Sequence, residues 1–373
     1  MGKFVTLSVL PVAVACVGYA AMKVLSSAST SKVLLLRKGP LGKEDIIIGC
    51  SSLAGMYQPI GDSLAVETIK VALDAGFVDY DTAPHYGLGL SEERLGKGLK
   101  AHANGRPFRV WTKSGRIMKH VSDVKKEDTL EIGNIPGTPG CIFVEADLNL
   151  RPVLDYTGSG MRQSYEDSKA RIGLDIYGLR IHDADEEDRL AQTLAKPGGG
   201  VEGMVELRSR GLISEVSLGM NEPAAILRVL RAFPKGTIDC VMVAGAWNLL
   251  DQDAAELLLE CQKRNIRVHN AGIFASGLLV GGSTYKYGPA PPEVKQKTQA
   301  WRELCEEHRV PLPVAAFAFA LLPSVVEKVA VGVKSPAEVK QALAWLEATK
   351  DVPTQLWRDA KLRGLLAECV PLP

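Results

Sequence analysis

The chain has 373 residues, 46% of them hydrophobic and 23% charged, a composition that fits a packed globular protein and excludes a disordered or fibrous one. Its 44 Lys and Arg stand against 43 Asp and Glu, so the formal net charge is +1, which argues against a nucleic-acid or polyanion partner. Seven scattered cysteines form no C-x-x-C pair, which speaks against a disulfide framework or a zinc site and for a reducing compartment.

In chain order, residues 4–22 carry no charge and are long enough to span a hydrocarbon core of about 30 Å. This stretch reads as a membrane anchor. Lys23, Lys32, Arg37 and Lys38 outweigh Lys3, which puts the body in the cytosol by the positive-inside rule. An organelle-targeting or cleaved signal is the alternative. The predicted organisation is therefore an anchor or targeting segment plus linker at 1–32 and a catalytic body at 33–373.

The body opens with runs at 33–36 and 44–50 around a turn-rich stretch, Arg37 to Gly42, which predicts a short edge hairpin. Strand-like runs then recur at 46–50, 77–81, 108–112, 175–181, 213–218, 238–243, 266–271 and 328–333. Amphipathic stretches lie between them at 64–75, 92–99, 202–210, 223–232, 254–264, 294–307 and 337–346. Alternating strand and helix units of this number predict an α/β fold, a (β/α)8 TIM barrel. An open doubly wound sheet is the alternative, but no G-x-G-x-x-G opens a helix after an early strand. A Gly- and Pro-rich stretch at 114–163 predicts a long loop insertion after strand three that shapes a binding site. The segment 313–322 is apolar and Pro-flanked.

Reactive side chains in a barrel gather at the C-terminal ends of the strands. Strand two leads into Asp81 and Tyr86, strand three ends on Trp111-Thr112-Lys113, and strand four on Ile181-His182-Asp183. A phenol is a poor base at neutral pH, and a neighbouring ammonium lowers its pKa. Lys113 is expected to do this for Tyr86, with Asp81 holding Lys113 charged and His182 hydrogen-bonding the substrate oxygen. Each of the four taken alone has an ordinary structural reading: a cap, a rim aromatic, a solvated lysine, a buried histidine pair. Metal chemistry has little support, because the six histidines show neither H-x-H nor H-E-x-x-H spacing. A serine hydrolase would need a G-x-S-x-G elbow, and none is present.

Residues 76–99, GFVDYDTAPHYGLGLSEERLGKGL, together with Trp111-Thr112-Lys113 and Ile181-His182-Asp183, closely resemble the aldo-keto reductases. The resemblance runs from about Ile46 to Leu346. It implies a nicotinamide dinucleotide bound across the barrel mouth, with Asp81, Tyr86, Lys113 and His182 as the catalytic tetrad. Arg151 to Tyr156 and the run Phe274 to Leu279 resemble a branch of sugar dehydrogenases that oxidise the anomeric carbon of a free aldose, of L-galactose, L-fucose or D-arabinose type, to a lactone. A carbonyl or aldehyde reductase, a pyridoxal dehydrogenase and a slow, membrane-tethered regulatory barrel are the alternatives. By the same resemblance, Asn221, Phe274, Gly277, Leu278, Gly332, Lys334, Ser335 and Glu338 bind the cofactor. Glu338 stands where relatives preferring the phosphorylated cofactor often carry Arg, which favours NAD, with NADP possible and Lys334 pointing the other way. Tyr57, His85, Trp111 and Trp247 are expected to line the pocket for a small sugar or aldehyde, Trp111 and Trp247 having rim packing as the other reading.

Overall fold

A computed structural model describes residues 33–286 and 288–373. The segment 4–22 read as an anchor lies outside the described residues. Among the described residues no helix is long and apolar enough to cross a membrane.

Eight parallel strands close into a barrel, β1 (Ile46–Gly49), β2 (Asp79–Asp81), β3 (Arg109–Ser114), β4 (Gly178–His182), β5 (Glu215–Met220), β6 (Cys240–Ala244), β7 (Arg267–Ala271) and β8 (Val326–Gly332). Each lies in one of the eight predicted runs, extending at most two residues beyond it. Closure is made by β8, which pairs with β1 in the register Ile46 to Val329 through Gly49 to Gly332. The crossovers carry α1 (Gly61–Asp74), α2 (Leu90–His102), α3 (Gly158–Ile172), α4 (Glu187–Leu194), α5 (Gly200–Ser209), α6 (Pro223–Ala232), α7 (Ala255–Arg264), α8 (Pro292–Glu307), α9 (Leu312–Ala320), α10 (Pro336–Ala348) and α11 (Thr354–Leu362). The apolar stretch at 313–322 is largely α9, whose residues are nearly all buried beneath α10.

Two expectations need correction. The hairpin at 33–50 does not form, because both edges of β1 are taken by β2 and β8. Leu36 instead bridges Pro323. Arg37 donates from its backbone to Leu322 O (2.8 Å) and from its guanidinium to Asp45 and to the Val326 and Glu327 carbonyls, while 43–45 forms a 3-10 turn. The insertion ends earlier than 163. Thr157 caps α3 by accepting from Gly160 N at 3.1 Å, and α3 is the ordinary crossover of the third unit. Its buried face carries Gly158, Gly160, Ser164 and Ser168 beside Met161, Tyr165 and Ile172, and so few apolar residues there hid it from periodicity.

The insertion is also less irregular than its Gly and Pro content implies. Arg116–His120 and Leu150–Leu154 form an antiparallel pair, and Met56 bridges Phe143. Phe143 and Ala146 pack with Ala54 and Leu88, and Tyr86 and Met118 lie against this cluster. The insertion is thereby fastened beside the carboxyl ends of β2 and β3.

Candidate active site

Strand alternation builds the site. Residues two apart share a face, so Asp79 and Asp81, Trp111 and Lys113, and Arg180 and His182 form inward pairs on adjacent strands. The upper member of each pair sits at the carboxyl end. Tyr86 comes from the turn between β2 and α2, where Gly87 (φ +64°) and Gly89 (φ +101°) adopt left-handed conformations. A Cβ on Gly87 would lie 2.7 Å from that of Ala54, so the turn bearing Tyr86 has no room for a side chain there.

The four side chains converge. Lys113 Nζ donates to Asp81 Oδ1 and to Thr82 O (2.8 Å), and stands 4.6 Å from the centroid of the Tyr86 ring. Asp81 Oδ2 accepts from Arg180 Nε at 2.8 Å. The Tyr86 and His182 rings meet edge-on, centroids 5.8 Å apart. Burial pushes the Asp81 carboxyl up, but Lys113 and Arg180 outweigh it and hold its pKa below the usual carboxylate range. Burial likewise opposes the charge on Lys113, and Asp81 with Tyr86 more than offsets it, so the ammonium is firmly protonated.

For Tyr86 the balance differs from the expectation. Burial raises the phenol pKa, Lys113 lowers it, and burial wins, so the resting phenol sits above its ordinary value. Burial, reinforced by Arg116, takes His182 far below the usual histidine range and keeps it neutral. The same causes bring His85 down to about 4.

Sequence reasoning missed Arg116, its partner Glu131, and Arg180. Arg116 touches His182 Nδ1 at 3.1 Å, pairs with Glu131 at 2.6 and 2.7 Å, and reaches Asp183 Oδ2 at 3.0 Å. The available signal was Lys113-Ser114-Gly115-Arg116, in which a glycine lets the strand turn back toward the mouth. Arg180, wholly buried, also donates to Ser217 Oγ (2.7 Å) and to His269 Nδ1 (2.8 Å), so it anchors Asp81 from beneath.

The expected pocket residues divide. His85 lies 5.9 Å from His182 and 5.6 Å from Phe143 between ring centroids, and Tyr57, 54% exposed, sits on the rim where its N–H donates to Ile142 O (2.7 Å). Trp111 and Trp247 do not line the pocket. Trp111 is buried inside the barrel, with Arg180 4.2 Å over its ring and its Nε1 donating to Asp79 (3.2 Å), because it faces inward one step below Lys113. Trp247 is fully buried and stacks on Phe319 of α9 at 5.2 Å.

The cofactor candidates follow the mouth from β5 to β8. Asn221 is exposed just past β5 and donates from Nδ2 to Asp183 Oδ1 (3.0 Å) and Asp185 Oδ2 (3.3 Å). Phe274 packs on Trp345 and Phe317, at 5.2 and 6.1 Å. Leu278 is buried in the core, and Gly277 (φ +93°) has open space where a side chain would stand. Gly332 ends β8, and Ser335 caps α10 through Glu338 N (3.3 Å), while Glu338 Oε2 accepts from Lys334 N (2.9 Å). This set fits a nicotinamide dinucleotide: an amide for a carboxamide, a helix N-terminus and an ammonium for phosphate, a carboxylate for ribose hydroxyls, and glycines that leave room for close approach. Among the described residues no group of His, Cys, Asp and Glu is placed to hold a metal ion.

A closed (β/α)8 barrel with Tyr, Lys, Asp and His gathered at its mouth and donors for a dinucleotide alongside defines an NAD(P)-dependent oxidoreductase. The chain belongs to the aldo/keto reductase family, whose model matches residues 45–355. It is 33% identical over 319 residues to a D-threo-aldose 1-dehydrogenase from a Pseudomonas species, covering 83% of this chain and 91% of that protein. It is 32% identical over 335 residues to a pyridoxal 4-dehydrogenase from Microbacterium luteolum, covering 86% and 94%. Its fold matches an aldo-keto reductase from Bacillus halodurans in holo form with a TM-score of 0.64 at 21% identity, over 90% of this chain and 98% of that one.

Proposed function

We propose that the protein oxidises the anomeric carbon of a free aldose to a lactone, with Tyr86 as the acid/base, and that NAD is its preferred cofactor. The observation that carries this reading is the chain of contacts from Asp81 through Lys113 to Tyr86 beside His182. The similarity to a D-threo-aldose 1-dehydrogenase supports the substrate class.

Tyr86 Oη takes the proton of the C1 hydroxyl. The base is the phenolate form of Tyr86, which Lys113 stabilises and which becomes the neutral phenol on taking this proton, and Asp81 keeps Lys113 charged and in place. His182 donates to the C1 oxygen and sets its approach to Tyr86. His85 and Tyr57 contact the remaining hydroxyls. The nicotinamide, when bound, accepts hydride from C1. Asn221 would hold its carboxamide, Phe274, Gly277 and Leu278 would flank it, and Gly332, Lys334, Ser335 and Glu338 would hold the phosphate and adenosine end.

With NAD and a panel of L-galactose, L-fucose, D-arabinose and pyridoxal, followed by NADH absorbance, the aldoses should turn over and release lactone. Turnover of pyridoxal alone would overturn the aldose assignment, and the 32% identical relative keeps that outcome in the panel. Reduction of an aldehyde is a second reading, favoured by one observation. The raised phenol pKa leaves Tyr86 protonated at neutral pH, ready to donate, so aldose oxidation should climb as pH rises and aldehyde reduction should fall.

Glu338 bears on the choice of cofactor. A carboxylate repels a 2′-phosphate and accepts from ribose hydroxyls. Glu338→Arg should therefore shift the kcat/KM ratio toward NADP by about tenfold or more, the equivalent of roughly 1.4 kcal/mol. An unchanged ratio would remove Glu338 from the adenosine site.

A further inference from the structure

We propose that Arg116, gripped by Glu131 of the insertion, is a positioning residue that locks His182 into the tautomer with its hydrogen on Nε2 and so provides the N–H that faces the substrate oxygen. The use made of that N–H rests on the reading of His182 given above; the tautomer itself does not.

A guanidinium has only donors and does not deprotonate in proteins. Arg116 Nη1 stands 3.1 Å from His182 Nδ1, so Nδ1 offers its lone pair. A neutral imidazole has one N–H, and it must then be on Nε2. The opposite tautomer would set N–H against N–H at Nδ1 and turn a lone pair toward the substrate oxygen, where neither oxidation nor reduction has a use for it.

Arg116 is held to this geometry from three sides. Its Nε and Nη2 make a two-pronged contact with the Glu131 carboxylate at 2.6 and 2.7 Å, and Nη2 lies 3.0 Å from Asp183 Oδ2. Both members of the Arg116–Glu131 pair are buried, and burial with a close countercharge makes such a pair geometrically exacting. Backbone geometry sets the third constraint. Gly115 adopts φ +111°, and a Cβ there would come within 2.5 Å of the Tyr156 ring. Tyr156 in turn donates its hydroxyl to His182 O at 2.6 Å. One short stretch, Gly115-Arg116, thus fixes the backbone and the ring of His182 together.

The charges around His182 agree with a neutral ring. Lys113, Arg116, Arg189 and His85 all disfavour its protonation on top of burial. Asp183 Oδ2 approaches Nε2 only to 3.5 Å and is already engaged by Arg116, and Tyr86 meets the ring edge-on. Glu131 is answered by Arg116 and Arg189.

The test uses the full chain and the variants Arg116→Met, Arg116→Lys and Glu131→Gln. Nitrogen-15 NMR of the histidine rings, assigned with a His182→Gln control, should show the Nε2–H tautomer for His182 in the wild type down to low pH. In R116M the tautomers should mix and the ring should titrate nearer the ordinary value of about 6.5. The kcat/KM profile should then gain an inflection between about pH 5 and 7, and kcat should fall at least tenfold with the KM for cofactor held, since a mis-set catalytic tautomer can cost up to about 10⁴. Arg116→Lys, which keeps a donor, should recover part of the rate. E131Q, which loosens the grip without removing the guanidinium, should move every readout the same way by less, and it answers the question should R116M not fold. An Nδ1–H signal in the wild type, or an R116M spectrum and pH profile matching it, would overturn the proposal. Absence of turnover with aldoses and aldehydes would count against the functional reading alone, because the NMR readout needs no substrate.

Discussion

Tyr86→Phe is expected to lower kcat by about 10² to 10⁴, the range lost with a general acid or base, while leaving the fold and cofactor affinity in place. The ring of Tyr86 contributes packing against Phe143 and an edge contact with His182, and phenylalanine keeps both. What disappears is the hydroxyl, the group proposed to exchange a proton with the substrate oxygen under the positive charge of Lys113. The same loss should appear with an aldose under oxidation and an aldehyde under reduction, because one hydroxyl serves both directions. Cofactor titration by protein fluorescence separates this from misfolding. A rate within a few-fold of wild type would remove Tyr86 from the chemistry.

Asp81→Asn should be the most damaging single change to stability. The carboxylate lies between Lys113 and Arg180, with all three side chains at or below 5% exposure. Asparagine preserves the shape and removes the charge, leaving two buried cations without their shared counterion. Breaking a buried ion pair in this way costs about 3–5 kcal/mol. Lys113 would relieve the strain by losing its proton, which also weakens its hold on a phenolate. The pH dependence follows from the sign of the shift. The folded-state pKa of Asp81 is depressed, so its contribution is present above the unfolded value of about 3.9 and is lost as pH falls through the lower folded value. Denaturant melts at neutral and acidic pH should therefore show a large gap between wild type and variant at neutrality that narrows in acid. A gap under about 1 kcal/mol at neutral pH would mean that Asp81 is not the counterion of this cluster.

Much of the site was legible because barrel strands announce themselves locally. Each of the eight runs is short and rich in apolar or β-branched residues, all but the third are followed by an amphipathic stretch, and the rule that reactive groups sit at strand ends then selected Asp81, Lys113 and His182. Local patterns say less about which way a bulky residue faces in a closed barrel. Trp111 shares the inward face of β3 with Lys113, but one step deeper, and so belongs to the polar interior around Asp79 and Arg180. Trp247 lies just beyond a strand end, as a pocket residue would, yet Phe319 of α9 takes its ring.

Sequence alone was enough for the order of the eight strands and the barrel, and it singled out Asp81, Tyr86, Lys113 and His182 as the proposed reactive groups, because these depend on local periodicity and on chemistry carried within single segments. Contacts between segments distant along the chain decided the rest. Arg116 meets His182 across 66 positions and Arg180 meets Asp81 across 99. Even the protonation of Tyr86 was settled in this way. An ammonium nearby could be read from the strand ends, but the burial that outweighs it comes from residues brought around the phenol by the fold, Ala54 and the insertion's Phe143 among them.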